Sequence, residues 1–468
     1  MKRKVSILIL MLAISLGLGL TGTPSTAAPT SQAQATATPD GDFGGEGTPP
    51  PTGSIPAVDP AFSSKQAVGM DEYTAYWPHL AVSANANYSL TISLLWLKGQ
   101  QRLMAQTSLN AGLSFSPTEV LASETRWGGS IGNLYVAGRN QGGFTACWYQ
   151  LFGFAYPSIH CRTQPRFGPW HEEVQVQGSD RDRFKVGVVA LDQYDSLHVL
   201  IGRGSKNLYY SSSPDGALWQ EYTAMPITDT SHPNPTFLPA TLILGQGHGA
   251  MLSVWGDARL DDGTWKLYSA YALADQRQGA TGGWTTHYFT ETDGQGVYLS
   301  GYGQYRPALA ELRDGHAGLV FECRPTDSSS ARDICYREFD PGLARTASGG
   351  WLSSTVVIAQ TWPTSSEAPR IAVDPASGQR IVCWQDSFDN LMVVCSWSAT
   401  GLAGQWSPPV RVNGGPHIRE KMPDIAIAGG RLHVVWADNL GDERGMAIYY
   451  SSRLLPAPYP AVPTTATP

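Results

Sequence analysis

Four stretches open on one rhythm: Trp77-Pro78-His79-Leu80-Ala81-Val82, Arg306-Pro307-Ala308-Leu309-Ala310, Pro369-Arg370-Ile371-Ala372-Val373 and Met422-Pro423-Asp424-Ile425-Ala426-Ile427. Each is a short apolar strand after a proline or a turn. A second strand rich in Val and Trp follows, as in Leu252-Ser253-Val254-Trp255-Gly256-Asp257, Ile381-Val382-Cys383-Trp384-Gln385-Asp386 and His433-Val434-Val435-Trp436-Ala437-Asp438. A third strand heavy in Tyr and Ser comes next, and the segment closes on Gly-x-x-Trp or Gly-x-x-Phe. The segment recurs about every 50–65 residues, the signature of one supersecondary unit copied around an axis.

Seven such units can be counted, starting near Trp77, Arg126, Arg183, Pro235, Tyr305, Glu367 and Lys421. The last stops at Leu455 after three strands, so a segment near Ser64 to Tyr73 is expected to supply the missing outer strand and remove the open sheet edges. The expectation is an all-β propeller of four-stranded antiparallel blades over residues 61–455, with seven blades, or six if the irregular second unit is an insertion. Composition agrees: of 468 residues only 15% are charged, against about a quarter in an average domain, while Gly (50) and Pro (33) are plentiful.

The ends read differently. Met1-Lys2-Arg3-Lys4, the apolar run Val5 to Leu20 and the small residues Ser25 and Ala27 read as an export signal over 1–27. That run is short for a membrane span. Residues 28–60 are mostly Thr, Ala, Gly and Pro and read as a disordered linker, and 456–468 as a tail of the same kind. The six cysteines sit as Cys147/Cys161, Cys323/Cys335 and Cys383/Cys395, the first of each pair in a second strand and its mate in the third. With an export signal this register predicts three disulfides within blades, the alternative being six reduced core cysteines. A net charge of −7 without a basic face argues against nucleic acid.

Ser108-Leu109-Asn110-Ala111-Gly112-Leu113-Ser114-Phe115 fits Ser-x-Asp/Asn-x-Gly-x-x-aromatic, and Ser213-Pro214-Asp215-Gly216-Ala217-Leu218-Trp219 is a version one residue shorter. Gly283-Trp284, Gly350-Trp351 and Gly404-Gln405-Trp406 mark the same place elsewhere. These turns resemble the Asp-box (BNR) repeat of the sialidase superfamily of propellers, over nearly all of residues 77–455. In the motif the Asn or Asp side chain accepts backbone N–H bonds, Gly supplies a positive φ and the aromatic ring plugs the gap between blades. The resemblance places these turns on the face away from the binding site.

The opposite face, where first strands begin and second strands end, is therefore the expected site. It carries Trp77, Arg126, Trp127, Arg183, Tyr305, Arg306, Glu367 and Glu420, with Asp257, Asp386 and Asp438 each two residues after a Trp, and Arg203. Aromatic planes beside Arg and carboxylates suit a sugar, although the Trp-x-Asp pairs also read as strand packing. The resemblance implies an Arg triad, a Tyr nucleophile with a Glu beside it and an Asp acid/base. The Arg-Ile-Pro that begins that triad has no match here, Arg306-Pro307 being nearest in position. Other fits fail on context: Gly17 to Gly22 lies in the export signal, Gly128 to Gly132 precedes a strand rather than a helix, and Asp261-Asp262-Gly263 reads most simply as a hairpin turn, with calcium binding the lesser alternative. No cofactor is expected, and the ten His show no metal-ligand spacing. The leading expectation is a secreted or surface-associated propeller that binds an extracellular glycan or glycoprotein without cleaving it. Its alternatives are a sialidase-type hydrolase with a variant site, or a protein-binding scaffold.

Overall fold

The fold is that of a computed structural model. It describes residues 56–455 apart from 70–74, 84–90, 100, 125–128, 152–157, 167, 177–183, 204–206, 216–218, 221–222, 225–236, 246–248, 258–264, 278–282, 290–299, 302–305, 325–330, 353–354, 360–364, 388–390, 404–405, 414–420 and 440–445. The signal, most of the linker (28–55) and the tail (456–468) lie outside the described residues.

Seven antiparallel sheets follow the sequence units. Blade 1 comprises Ala75–Ser83, Thr91–Lys98, Arg102–Ser108 and Glu119–Ser123; blade 2 comprises Ser130–Gly138, Gly143–Leu151, Ser158–Pro165 and Val174–Gln175. Blade 3 runs Phe184–Leu191, Leu197–Arg203, Asn207–Ser213 and Thr223–Ala224; blade 4 runs Phe237–Leu244, Ala250–Asp257, Trp265–Ala272 and Thr285–Tyr288. An extra pair, Ser300–Gly301, sits on the third strand of blade 4. Blade 5 is Ala308–Glu311, Ala317–Cys323, Asp333–Phe339 and Val356–Ala359; blade 6 is Ser366–Val373, Arg380–Asp386, Met392–Ser398 and Val410–Arg411. Blade 7 is Lys421–Ala428, Arg431–Asn439 and Met446–Leu454, completed on the outside by Gln66–Gly69. The irregular second unit is thus a blade of its own. The first strand of each blade neighbours those of the blades before and after it, closing a ring. This is the propeller expected from the repeats and from the family resemblance.

Closure involves more than the one strand. Gln66 and Ala67 pair with Tyr450 and Tyr449, and Lys65 caps the buried Asp438 while standing 4.0 Å over the Tyr449 ring. Upstream, Val58 bridges in parallel to Arg411 of blade 6, and Asp59 pairs with Arg453 of blade 7 at 2.6 Å. The last residues of the stretch read as linker are therefore strapped across blades 6 and 7. Their backbone groups find partners there despite the small, polar side chains around them.

The core lies between blades. Trp96, Trp148, Trp255, Trp384 and Trp436 occupy one position of the second strand in blades 1, 2, 4, 6 and 7, and all are essentially fully buried. Phe321 takes that place in blade 5. Truncating any of these rings to Ala would cost about 3–5 kcal/mol.

All three disulfides are present. Cys147–Cys161 and Cys383–Cys395 join facing residues with Cα atoms 4.1 Å apart. Cys323–Cys335 differs: Cys323 faces Asp333 and Phe321 faces Cys335, so the bridge runs diagonally over 5.8 Å between Cα atoms.

The Ser108 to Phe115 turn is closed by its own side chains. The Ser114 N–H donates to Asn110 Oδ1 at 2.9 Å and the Gly112 N–H to Ser108 Oγ at 2.8 Å. Gly112 has φ +80°, and a Cβ there would collide with the Tyr450 hydroxyl of blade 7. Phe115 meets that same Tyr450 edge-on at 5.1 Å. Trp284 on Tyr210 and Trp406 on Tyr336 repeat the arrangement, each ring packing against the third-strand tyrosine of the preceding blade.

Candidate functional site

The hub is shaped by a bulge near the start of the inner strands. Register shifts occur between Tyr76 and His79, Gly132 and Tyr135, Lys185 and Gly187, Phe237 and Ala240, Glu367 and Arg370, and Lys421 and Asp424. Proline causes four of the six: Pro78, Pro239, Pro369 and Pro423 each sit inside the shift, where a residue without an N–H cannot join the ladder. Trp77, Ala368 and Met422, the residues before three of these prolines, hold left-handed φ values of 48°, 53° and 52°.

Two of those strained residues are held from the preceding blade. The Ala368 N–H donates to Glu322 Oε1 at 2.9 Å, and the Met422 N–H to Gln385 Oε1 at 3.3 Å. Glu322 and Gln385 occupy the same position of the second strand, directly after Phe321 and Trp384. Blade 7 has Ala437 there, which carries no acceptor. Asp424 performs the anchoring of blade 1 instead, accepting the Leu80 N–H at 2.9 Å.

Past the bulge each chain presents one residue at the hub, and in four consecutive blades these residues form a network. Arg370 of blade 6 lies 3.3 Å from Asp424 of blade 7, whose other oxygen is 3.3 Å from His79 Nδ1 of blade 1. The His79 ring is 5.8 Å from that of Tyr135 in blade 2. Burial opposes the charge of Asp424, yet the His79 bond, the charges of His79 and Arg370 and the Leu80 N–H outweigh it and hold the carboxyl below its ordinary value. Burial raises the Tyr135 phenol, and the charge of Arg370 opposes the rise. The corresponding residues of blades 3, 4 and 5 are Gly187, Ala240 and Ala308.

A second cluster backs the network between blades 5 and 6. Arg332 lies 2.9 Å from Glu322 and 3.4 Å from Glu367, while Arg306 lies 4.0 and 3.8 Å from the same two carboxylates. Glu322 is 2% exposed. Burial pushes its carboxyl above the usual value against Arg306, the Ala368 N–H and Arg332, and Glu367 adds to the rise.

The sequence-derived candidates divide accordingly. Trp77 is exposed at the start of the inner strand of blade 1. Arg306 and Glu367 meet in the second cluster, with Arg306 already paired. Asp386 is buried and takes the Ser366 hydroxyl at 3.1 Å and the Trp384 indole N–H at 3.3 Å. Asp438 is buried under Lys65. Both acids are engaged by partners within or beside their own blades. Gln150 repeats the role in blade 2, accepting the Trp148 indole N–H at 3.0 Å. Asp257 and Arg203 end the second strands of blades 4 and 3. Arg126, Trp127, Arg183, Tyr305 and Glu420 lie outside the described residues.

Sequence reasoning did not single out His79, Tyr135, Arg370, Asp424, Glu322 or Arg332. A signal was available for three of them: His79, Arg370 and Asp424 each directly follow the recurring proline. Among the described residues no group of three His, Cys, Asp or Glu is placed to hold a metal ion. Chemically, the hub offers a guanidinium fork, an ionised carboxylate, an imidazole and a phenol within one sector. These are donors and acceptors for hydroxyl groups. Asp424, held ionised, has no proton to give a leaving group, and Glu322, whose carboxyl is raised, is shut inside the blade.

No protein-family model matches the chain, and no curated protein matches its sequence. Solved structures do match. The BP39L lectin from Burkholderia pseudomallei is similar at 12% identity and a TM-score of 0.55, over 82% of this chain and 99% of that one. Phage phi92 endosialidase is similar at 9% identity and a TM-score of 0.49, over 86% and 71%. Penicillium chrysogenum α-L-arabinanase is similar at 12% identity and a TM-score of 0.43, over 85% and 97%. At these identities the likeness is one of fold.

Proposed function

We propose that the chain is an exported propeller that binds an extracellular glycan or glycoconjugate at the mouth of the hub, in the sector of blades 6, 7, 1 and 2, and does not cleave it. The observation that carries this is the pairing of the hub carboxylate: Asp424 lies 3.3 Å from both His79 and Arg370 and accepts the Leu80 N–H at 2.9 Å. A glycoside hydrolase needs a carboxylic acid that holds its proton at neutral pH beside the scissile bond. Asp424 is instead drawn to His79, Arg370 and the Leu80 N–H, which favour its charged form. The likeness in fold to a lectin supports the reading, and three disulfides are consistent with an oxidising compartment. No described helix is long and apolar enough to cross a membrane.

The test is a glycan array run beside hydrolysis assays on a fluorogenic sialoside and a fluorogenic neutral glycoside. Binding without release of fluorophore is expected. Turnover that Asp424→Asn abolishes would replace the lectin with a hydrolase, and silence on array and assays alike would leave a scaffold.

A further inference from the structure

We propose that Trp77 is the stacking platform of this site, and that the ligand is an uncharged pyranose whose C–H face lies on the indole while its hydroxyls reach Arg370, Asp424 and His79. The inference rests on the hub mouth being the glycan site.

Trp77 stands apart from the other tryptophans among the described residues. It is 38% exposed, whereas the second-strand tryptophans are sealed between blades. Its backbone is left-handed, a conformation that a bulky side chain adopts only under strain. The bulge accounts for that backbone, because Ala368 and Met422 share it; it does not account for an indole, since alanine suffices in blade 6. An exposed ring on a strained backbone gains little for the fold.

What the ring rests on also points to a ligand. Its edge passes Gly132 on the inner strand of blade 2, where a Cβ would sit 3.8 Å from the indole and 3.8 Å from the Tyr149 ring. Two aromatic rings thus flank a glycine whose own lack of a side chain leaves the indole edge next to the backbone of blade 2. Two residues on, His79 joins the polar network. An aromatic plane beside a fork of hydroxyl-binding groups is what a pyranose needs on its two chemically distinct sides. Neutrality is inferred from the pairing of the described arginines of the hub: Arg370 is matched by Asp424, and Arg306 and Arg332 by Glu322 and Glu367. A carboxylate ligand would have to break one of these pairs, whereas a hydroxyl can join it.

The experiment titrates the full chain with methyl galactoside, methyl glucoside, methyl mannoside and a methyl sialoside, by calorimetry and indole fluorescence, in the wild type, Trp77→Gly, Trp77→Phe and Arg370→Ala. Glycine accepts the φ of 48°, which offsets the loss of the ring's packing, and a thermal melt of each variant checks that it is folded before its affinity is read. At least one neutral pyranoside should bind and shift the fluorescence. Trp77→Gly should lose about tenfold or more in affinity and Trp77→Phe only a few-fold. Wild-type affinity in Trp77→Gly, with binding lost in Arg370→Ala, would remove the platform and leave the hub site standing. A preference for the sialoside would overturn the neutral ligand. No binding by the wild type, here and on the array, would take the hub reading down as well.

Discussion

Around one axis the same backbone device carries two different sets of side chains. In blades 6, 7, 1 and 2 the residue past the bulge is Arg370, Asp424, His79 or Tyr135; in blades 3, 4 and 5 the corresponding residue is Gly187, Ala240 or Ala308. Much of what lies beneath is shared: a register shift in six of the blades, a buried aromatic on the second strand of six, and a third-strand tyrosine met by the next blade's ring in three. Duplication explains the likeness, and the core keeps it, because a change there costs several kcal/mol. The hub position differs from blade to blade. Four of its seven copies carry polar side chains, at the expense of desolvating an ion pair, Arg370 and Asp424, whose members need one another. That expense is intelligible where a ligand is to be held.

Substitutions can break or sharpen the contrast. The largest effect should come from Glu322→Ala, which strips the buried carboxylate from Arg306, Arg332 and the Ala368 N–H at once. A loss of about 3–5 kcal/mol is expected in chemical denaturation. Glu322→Gln should cost less, because the amide oxygen can still accept from Ala368. Equal losses would mean that charge alone matters and the bulge anchor does not.

Asp424→Asn should cost about 1–3 kcal/mol at neutral pH. It should also change the pH dependence. The Asp424 carboxyl lies below its ordinary value in the folded chain, so between the two values the unfolded chain binds more protons. The stabilisation is complete above the ordinary carboxylate range and fades as pH falls through the lowered value. In the Asn variant that part of the acid slope should vanish. An unchanged slope would show that Asp424 is not held charged by His79 and Arg370.

The smallest effect belongs to the plain half. Ala240→Ser should shift stability by no more than about 0.5 kcal/mol and leave glycan affinity untouched. If it weakened binding as much as Arg370→Ala, the two halves would be one site.

Much of the fold could be read from the chain because its signals are local and repeated. The Trp of most second strands, the Gly-x-x-Trp turns and the missing strand of the last unit gave the blade count and the closure. Two cysteine pairs obeyed the register of facing strands; Cys323–Cys335 did not, because a diagonal bridge depends on a two-residue offset that composition does not show. The site was harder. Periodicity draws attention to residues that repeat, and Asp386 and Asp438 repeat because they serve their own blades. The hub residues are those that differ between copies, and three of them, Arg370, Asp424 and His79, lie one step beyond a proline whose bulge shifts the strand register. Arg370 and Tyr135 come from blades separated by two others, so only the closed ring shows that they meet.

The most direct test is a crystal structure of the chain with an array-positive oligosaccharide that contains a cleavable glycosidic bond. The intact glycan should lie over Arg370, Asp424 and His79, with a ring on Trp77 and the sector of Gly187, Ala240 and Ala308 unoccupied by it. A cleaved product at the hub, or a glycan bound at the rim, would contradict the account.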